Sequence, residues 1–263
     1  MTFFQSIIIA LVEGLTEFLP VSSTGHIIIT GKLLGVPEND FTTSFTIAVQ
    51  LGAILAVVVL YHKKFLQITN WQFYLKLIIG MIPAVILGLL LSDYIDTLLE
   101  SATTVAITLL LGGIVLVFID NFFNHPKIED EKEVSFLRSF KIGLWQCLAL
   151  IPGMSRSAAS IIGGMQQKLT RSAAAEFSFF LGVPTLFGAT VYKLYKYYKT
   201  QGGFTSNDIE LLVAGNVVSF IVAILAIKFF INFLKKHGFR IWGFYRIVVG
   251  IILLIMIGTG YLK

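Results

Sequence analysis

Charged side chains are scarce in this sequence. Asp, Glu, Lys and Arg make up 13% of its 263 residues, against about 25% in an ordinary soluble domain, so the chain lacks the polar surface that keeps a protein dissolved. Cysteine is nearly absent too. Cys147 stands alone in an apolar stretch, which rules out an internal disulfide and reads as a buried, inert thiol. A basic leader region is also missing, and Glu13 and Glu17 stand where a cleavable signal would be purely apolar, so no cleavage is expected.

What the sequence has is apolar length. Hydrophobic residues account for 56% of the chain and the mean hydropathy is +0.84. The formal charge of +5 does not point to nucleic acid, because most Lys and Arg flank long apolar runs, where they sit against lipid headgroups. A spanning helix needs about 20 mainly apolar residues, and six stretches qualify: about 41–61, 73–92, 101–120, 173–195, 209–234 and 241–261. Two further apolar segments, 3–34 and 140–168, are broken at Pro20 and at Pro152-Gly153. Each half is too short to cross, so each segment is expected to enter the bilayer, turn and leave on the same side.

Lys63, Lys64, Lys127, Lys132, Arg138, Lys141, Lys168, Arg171, Lys235, Lys236 and Arg240 fall on one side of this arrangement, whereas the 93–100 loop has acids and no Lys or Arg. The positive-inside rule makes the first side cytoplasmic, with Lys193, Lys196 and Lys199 as exceptions. The two broken segments then enter from opposite faces and point at each other. Sliding the sequence by 132 residues sets Pro20 on Pro152, Ser23 on Ser155 and Phe45-Thr46 on Phe177-Ser178. Three spans per half is an odd number, so the second half must be inverted. The expected fold is all-α: one polytopic membrane domain over 1–263, six spanning helices plus two re-entrant helical hairpins in an inverted repeat. Its halves, about 1–124 and 139–263, are joined by a polar and mobile cytoplasmic loop.

The broken segments carry polar groups in the wrong solvent. Glu13 and Glu17 lie four apart in an apolar run, so on a helix they share one face, about 6 Å apart along the axis. A charge at membrane depth costs roughly 2.5–3.5 kcal/mol. A divalent cation, a protonated partner or a guanidinium from the facing hairpin would offset it; solvation near the headgroups is the bland alternative. After Pro20 come Val21, Ser22, Ser23, Thr24, Gly25 and His26, then a new apolar run. Such a turn presents hydroxyls and free N–H groups that attract phosphate, and His26 can serve as base, acid or nucleophile. The second turn supplies Ser155, Arg156, Ser157 and Ser160. Arg grips phosphate bidentately, and the serines cap the outgoing helix. Gln50 is placed in the bundle interior near this site, and Glu176 is expected to pair with Arg171 or Arg156. The pairs Gly80/Pro83, Gly112/Gly113 and Gly163/Gly164 favour close helix packing.

At these residues the sequence resembles the bacterial undecaprenyl-diphosphate phosphatases of the bacitracin-resistance type. That family pairs a Glu-x-x-x-Glu run and a Pro-Val-Ser-Ser-Thr-Gly-His turn with Pro-Gly-x-Ser-Arg-Ser; here these are Glu13 to Glu17 with Pro20–His26, and Pro152–Ser157. One departure is that Ala158, Ala159 and Ser160 stand where the family usually has Gly-Ala-Thr. The resemblance implies hydrolysis of undecaprenyl diphosphate to the monophosphate, recycling a carrier lipid for cell-wall synthesis. It implies a divalent cation, Mg2+ or Ca2+, and an active site open to the outer, periplasmic face of the plasma membrane. By that analogy Glu13 and Glu17 bind metal or act as base, Ser23 is the nucleophile, His26 is base or acid, and Arg156 holds the phosphates. Ser22, Thr24, Gln50, Ser155, Ser157 and Ser160 contact the substrate. Polyprenyl diphosphate and membrane lipids are the expected partners, and a homodimer is compatible with the sequence. A secondary transporter would use the same hairpins without hydrolysis, and a plain membrane scaffold would have no reason to bury a Glu pair.

Overall fold

In the computed structural model, residues 1–91, 94–95, 98 and 101–261 are described. Most of the 93–100 loop that was read as acidic lies outside the described residues. The elements are helical: α1 (Phe3–Thr16), α2 (Ser23–Leu33), α3 (Asp40–Ala48), α4 (Gln50–Leu60), α5 (Trp71–Leu90), α6 (Ala102–Phe122), α7 (Phe136–Gln146), α8 (Arg156–Gln166), α9 (Arg171–Gln201), α10 (Ser206–His237) and α11 (Arg240–Gly258). Six stretches are long and apolar enough to span a membrane, and they match the expected six: Asp40–Leu60, Trp71–Leu90, Ala102–Phe122, Arg171–Gln201, Ser206–His237 and Arg240–Gly258. Large apolar side chains face outward along them, as at Leu90, Phe122 and Leu225. This is tolerable only where lipid replaces water.

The first spanning stretch is not one continuous helix. It breaks at Val49, between α3 and α4. Just beyond the break, the Gly52 amide donates to the Asn216 side-chain oxygen of α10 at 2.7 Å. A side chain inserted into the helical ladder is a usual cause of such a break, and Asn216 was not anticipated.

The two broken segments have closely similar backbones. Thr2 and Ser135 cap the first helix of each, and Ser22 and Ser155 cap the second. Ser22 and Ser155 both take positive φ, 69° and 67°, and the segments exit through Gly35 at 60° and Lys168 at 72°. Serine at positive φ is uncommon and costs on the order of 1–3 kcal/mol, so it persists where surrounding structure enforces it. The landmarks pair Ser22, not Ser23, with Ser155, one residue off the register read from the sequence. In this pairing Arg156 corresponds to Ser23 and Gln146 to Glu13, so the two turns share a backbone but not their charges.

Small residues set the helix spacing. A Cβ at Gly113 of α6 would come within 2.9 Å of the Gly243 carbonyl oxygen of α11, and one at Gly164 within 2.9 Å of Ala174 Cβ. Gly80 of α5 lies against Ser139 and Gly143 of α7 in the same way. With lipid outside, close backbone approach supplies the packing that the hydrophobic effect supplies in water. An aromatic core of Phe18, Phe73, Phe177, Phe179, Phe180, Phe230 and Phe239 fills the centre.

The linker between the halves is pinned, contrary to the expected mobility. Ile128 and Val134 are buried, and Ile128 forms a parallel bridge with Leu169. Lys64 Nζ lies 2.5 Å from Glu131, and Lys76 donates to the Lys132 carbonyl at 2.8 Å. The segment is anchored by the Glu131 carboxylate on Lys64 and by backbone carbonyls on Lys76.

Candidate active site

The turns after α1 and before α8 meet. Glu17, the C-cap of α1, is 6% exposed. Its Oε1 accepts from Arg156 Nε at 3.3 Å and Nη2 at 3.2 Å, and its Oε2 accepts from Ser23 Oγ at 2.8 Å. One carboxylate thus joins the serine of one turn to the guanidinium of the other. Arg156 also donates to the Ser178 carbonyl at 3.1 Å, and its guanidinium carbon stands 5.7 Å from the centre of the Phe18 ring. Gly182 makes room for it, because a Cβ there would stand 2.7 Å from Arg156 Nη1.

Glu13 is fully buried, one helical turn before Glu17, and neither carboxylate oxygen makes a hydrogen bond. The side chains of Glu17 and Gln50 approach it. An unpartnered buried carboxylate is costly unless a proton or a cation completes it. Two carboxylates with a side-chain amide oxygen form a hard-oxygen set of the kind Mg2+ and Ca2+ accept. Among the described residues, no three His, Cys, Asp or Glu side chains converge as a complete cage. Any cation here would need further oxygens from water or phosphate, which is how Mg2+ is usually held.

Ser22 and Ser155 serve as N-caps, accepting from the Gly25 amide at 3.5 Å and the Ala158 amide at 3.2 Å. With Thr24 they lie at the starts of α2 and α8, where N–H groups lack intrahelical partners; Ser22 is buried and Thr24 and Ser155 are partly so. Ser157 and Ser160 are different. Both are fully buried. Ser157 donates to the Phe18 carbonyl at 2.8 Å, across the meeting of the two turns. Ser160 Oγ lies 2.8 Å from the Arg156 carbonyl and 2.6 Å from Ser178 Oγ. A hydroxyl has one hydrogen to give, and these two give support to Arg156 and to the contact between the turns. Ser160 keeps the hydroxyl that the usual threonine would bring.

His26 does not hydrogen-bond Ser23. Its Nδ1 is 2.8 Å from the Ser22 carbonyl oxygen, and its Nε2 is 2.7 Å from the Tyr245 hydroxyl. Glu176 also departs from expectation. Arg171 takes Asp120 at 2.5 Å and Arg156 takes Glu17, which leaves Glu176 beside Tyr61. Residues five apart on one helix, as Arg171 and Glu176 are, do not share a face.

One charge at the centre was missed. Arg246 of α11 is fully buried, and among the described residues it forms no salt bridge. It donates to the carbonyls of Pro20 at 3.2 Å, Met154 at 3.1 Å, Gly153 at 3.0 Å, Thr108 at 3.1 Å and Leu109 at 3.4 Å. A planar guanidinium with five donors can satisfy this many acceptors at once. It ties both turns to α6 and so fixes how they meet. The signal was present in the sequence as a lone Arg inside the apolar run 241–257.

This geometry can be set beside known proteins. The family model described as bacitracin resistance protein BacA matches residues 6–252. A protein of Flavobacterium johnsoniae called undecaprenyl-diphosphatase is 57% identical over 253 residues, covering 96% of this chain and 95% of its own. Proteins of the same description from Porphyromonas gingivalis and Aquifex aeolicus are 50% and 43% identical, over 99% and 96% of this chain and 98% and 97% of their own. A match of this extent covers both turns and every helix that positions them, and the chain belongs to the bacitracin resistance protein BacA family.

Proposed function

We propose that this multi-pass membrane protein hydrolyses undecaprenyl diphosphate to undecaprenyl phosphate and inorganic phosphate, recycling a carrier lipid for cell-wall synthesis and so contributing to bacitracin resistance. The observation that carries the reading is the junction of Ser23, Glu17 and Arg156, which puts a hydroxyl, a carboxylate and a guanidinium in direct contact at two helix N-termini. The full-length likeness to proteins called undecaprenyl-diphosphatase supplies the substrate.

In this reading the two broken segments are re-entrant hairpins of an inverted repeat, and their turns meet within the bilayer. The site opens to the outer side of the plasma membrane in this reading, which the positive-inside pattern supports. The prenyl tail lies in lipid along the apolar helix faces, and the diphosphate meets Arg156 and the N–H groups at the starts of α2 and α8, a natural anion site. Ser23 Oγ attacks the terminal phosphorus as its proton passes to Glu17. The bridging P–O bond breaks, and the prenyl monophosphate leaves. Water then attacks the phosphoserine, giving a proton to His26, while the serine oxygen recovers its proton from Glu17. Arg156 and the helix N-termini stabilise charge on the transferring group. A divalent cation would be held by Glu13 and Glu17, with Gln50 alongside, and would neutralise phosphate charge.

Purified protein in detergent, mixed with prenyl diphosphates of different tail length with and without chelator, tests the proposal. Chelator-sensitive release of inorganic phosphate is expected. A transporter using the same turns would release none, because it moves its cargo without breaking a P–O bond.

A further inference from the structure

His26 and Tyr245 are far apart in the sequence, yet their rings lie nearly parallel, 5° between planes, with centroids 5.5 Å apart. Both nitrogens of His26 are engaged, one by the Ser22 carbonyl and one by the Tyr245 hydroxyl. A carbonyl oxygen can only accept, so Nδ1 carries a proton. In the neutral ring Nε2 must then be the lone-pair nitrogen, and the phenol must be the donor to it. The second contact thus selects the same tautomer as the first. The next residue along α11, Arg246, holds the carbonyls of both turns, so the helix that carries Tyr245 is itself fixed against the site.

We propose that Tyr245 is a positioning residue for His26: its hydroxyl fixes the Nδ1–H tautomer and the ring angle, and it holds the Nε2 lone pair ready for a proton from the substrate side. The inference rests on the hydrolase reading. In the second step, water replaces the phenol at Nε2, its O–H bond breaks, the proton joins Nε2 and the oxygen bonds to phosphorus as the Ser23 Oγ–P bond breaks. Nδ1–H stays on Ser22 throughout. The phenol neither gains nor loses a proton over the cycle, so a tyrosine serves here without needing to ionise.

Tyr245→Phe keeps the stacked ring and removes the donor. Nitrogen NMR of histidine-labelled protein in detergent, with His26 assigned by its disappearance in His26→Gln, reads the tautomer without any turnover. The expected result is a protonated Nδ1 and a bare Nε2 in the wild type, with the Nε2 resonance displaced in Tyr245→Phe. A protonated Nε2 in the wild type, or an Nε2 resonance indifferent to Tyr245→Phe, overturns the proposal. In the phosphate-release assay kcat of Tyr245→Phe should fall by roughly 10- to 100-fold, less than the ~10²–10⁴-fold worth of the general acid–base group it positions, while KM stays within about two-fold. An unchanged kcat, or a loss confined to KM, also overturns it. A wild type that releases no phosphate defeats the hydrolase reading instead, and the NMR result still decides the pairing.

Discussion

Arg156 and Glu17 are 139 residues apart in the chain and 3.2 Å apart in the fold. Both side chains are more than nine-tenths buried, so the pair is shielded from water and from salt screening. Glu17 also accepts from Ser23, which makes this carboxylate the hinge of the account. In the proposed mechanism it neutralises Arg156 before substrate arrives and takes the serine proton once a phosphate competes for the guanidinium.

If Ser23 is the nucleophile, Ser23→Ala should lower phosphate release by at least about 100-fold, the low end for loss of a covalent catalytic group. Rapid quenching of wild type with substrate labelled in the terminal phosphate should trap label on the protein, and none on Ser23→Ala. Label retained by Ser23→Ala would move the nucleophile to His26.

Arg246→Met should damage the fold more than the chemistry. It strips donors from carbonyls of Pro20, Gly153, Met154, Thr108 and Leu109. Each buried acceptor left without a partner costs about 1–3 kcal/mol. Thermal unfolding in detergent should show a clear drop in Tm, and Arg246→Lys, with three donors for five acceptors, should fall between.

The pinned linker is open to proteolysis experiments. Lys64→Met leaves the buried Glu131 carboxylate without its cation, and faster cleavage in the 125–135 segment is expected at neutral pH. Hydrogen bonds from the Glu131 side chain and the Lys132 amide hold the Asp130 carboxyl down at about 2. Burial, and then the bond with Asp130, push Glu131 above its usual range. Asp130 therefore contributes stability that is present above its ordinary value near 3.8 and is lost as pH falls from there towards 2. The raised Glu131 has the opposite sign, contributing fully at low pH and less as pH rises through its folded value. Pepsin cleavage of this segment should accelerate below pH ~4 if the Asp130 contribution dominates.

Glu13→Gln keeps the shape of the side chain and removes the charge. Because both Glu13 oxygens lack partners among the described residues, a cation held there should bind more weakly in the variant, by at least the roughly 10- to 100-fold that loss of an outer-shell partner costs. Titrating Mg2+ into chelator-treated protein and following phosphate release measures the shift. An unchanged Mg2+ dependence would assign the buried carboxylate a proton in place of a metal.

The spans were legible because 20-residue apolar runs have few other uses, and both turns were legible because Pro20 and Pro152-Gly153 interrupt such runs. The charged members of the site stood out for the same reason, as Glu13, Glu17 and Arg156 have no cheap place in an apolar segment. Contacts that depend on rotation about helix axes were not legible. His26 lies about one turn from Ser22 and Ser23, but the fold gives the imidazole to the Ser22 carbonyl and Tyr245 and the Ser23 hydroxyl to Glu17. Ser157 and Ser160 looked like ligands because hydroxyls at a helix start usually are available; only packing shows that theirs are spent. Arg246 and Asn216 were visible as polar residues inside apolar runs, but their partners are backbone groups, which no side-chain pattern announces.

The most direct test of the account compares inorganic phosphate release from undecaprenyl diphosphate by wild type, Glu17→Gln and Arg156→Gln, with folding checked by thermal unfolding. Both variants should remain folded and lose about 10²–10³-fold or more in kcat, the scale for removing a group that stabilises the transferring phosphate. Turnover near the wild-type rate in either folded variant would contradict a shared site at the meeting of the two turns.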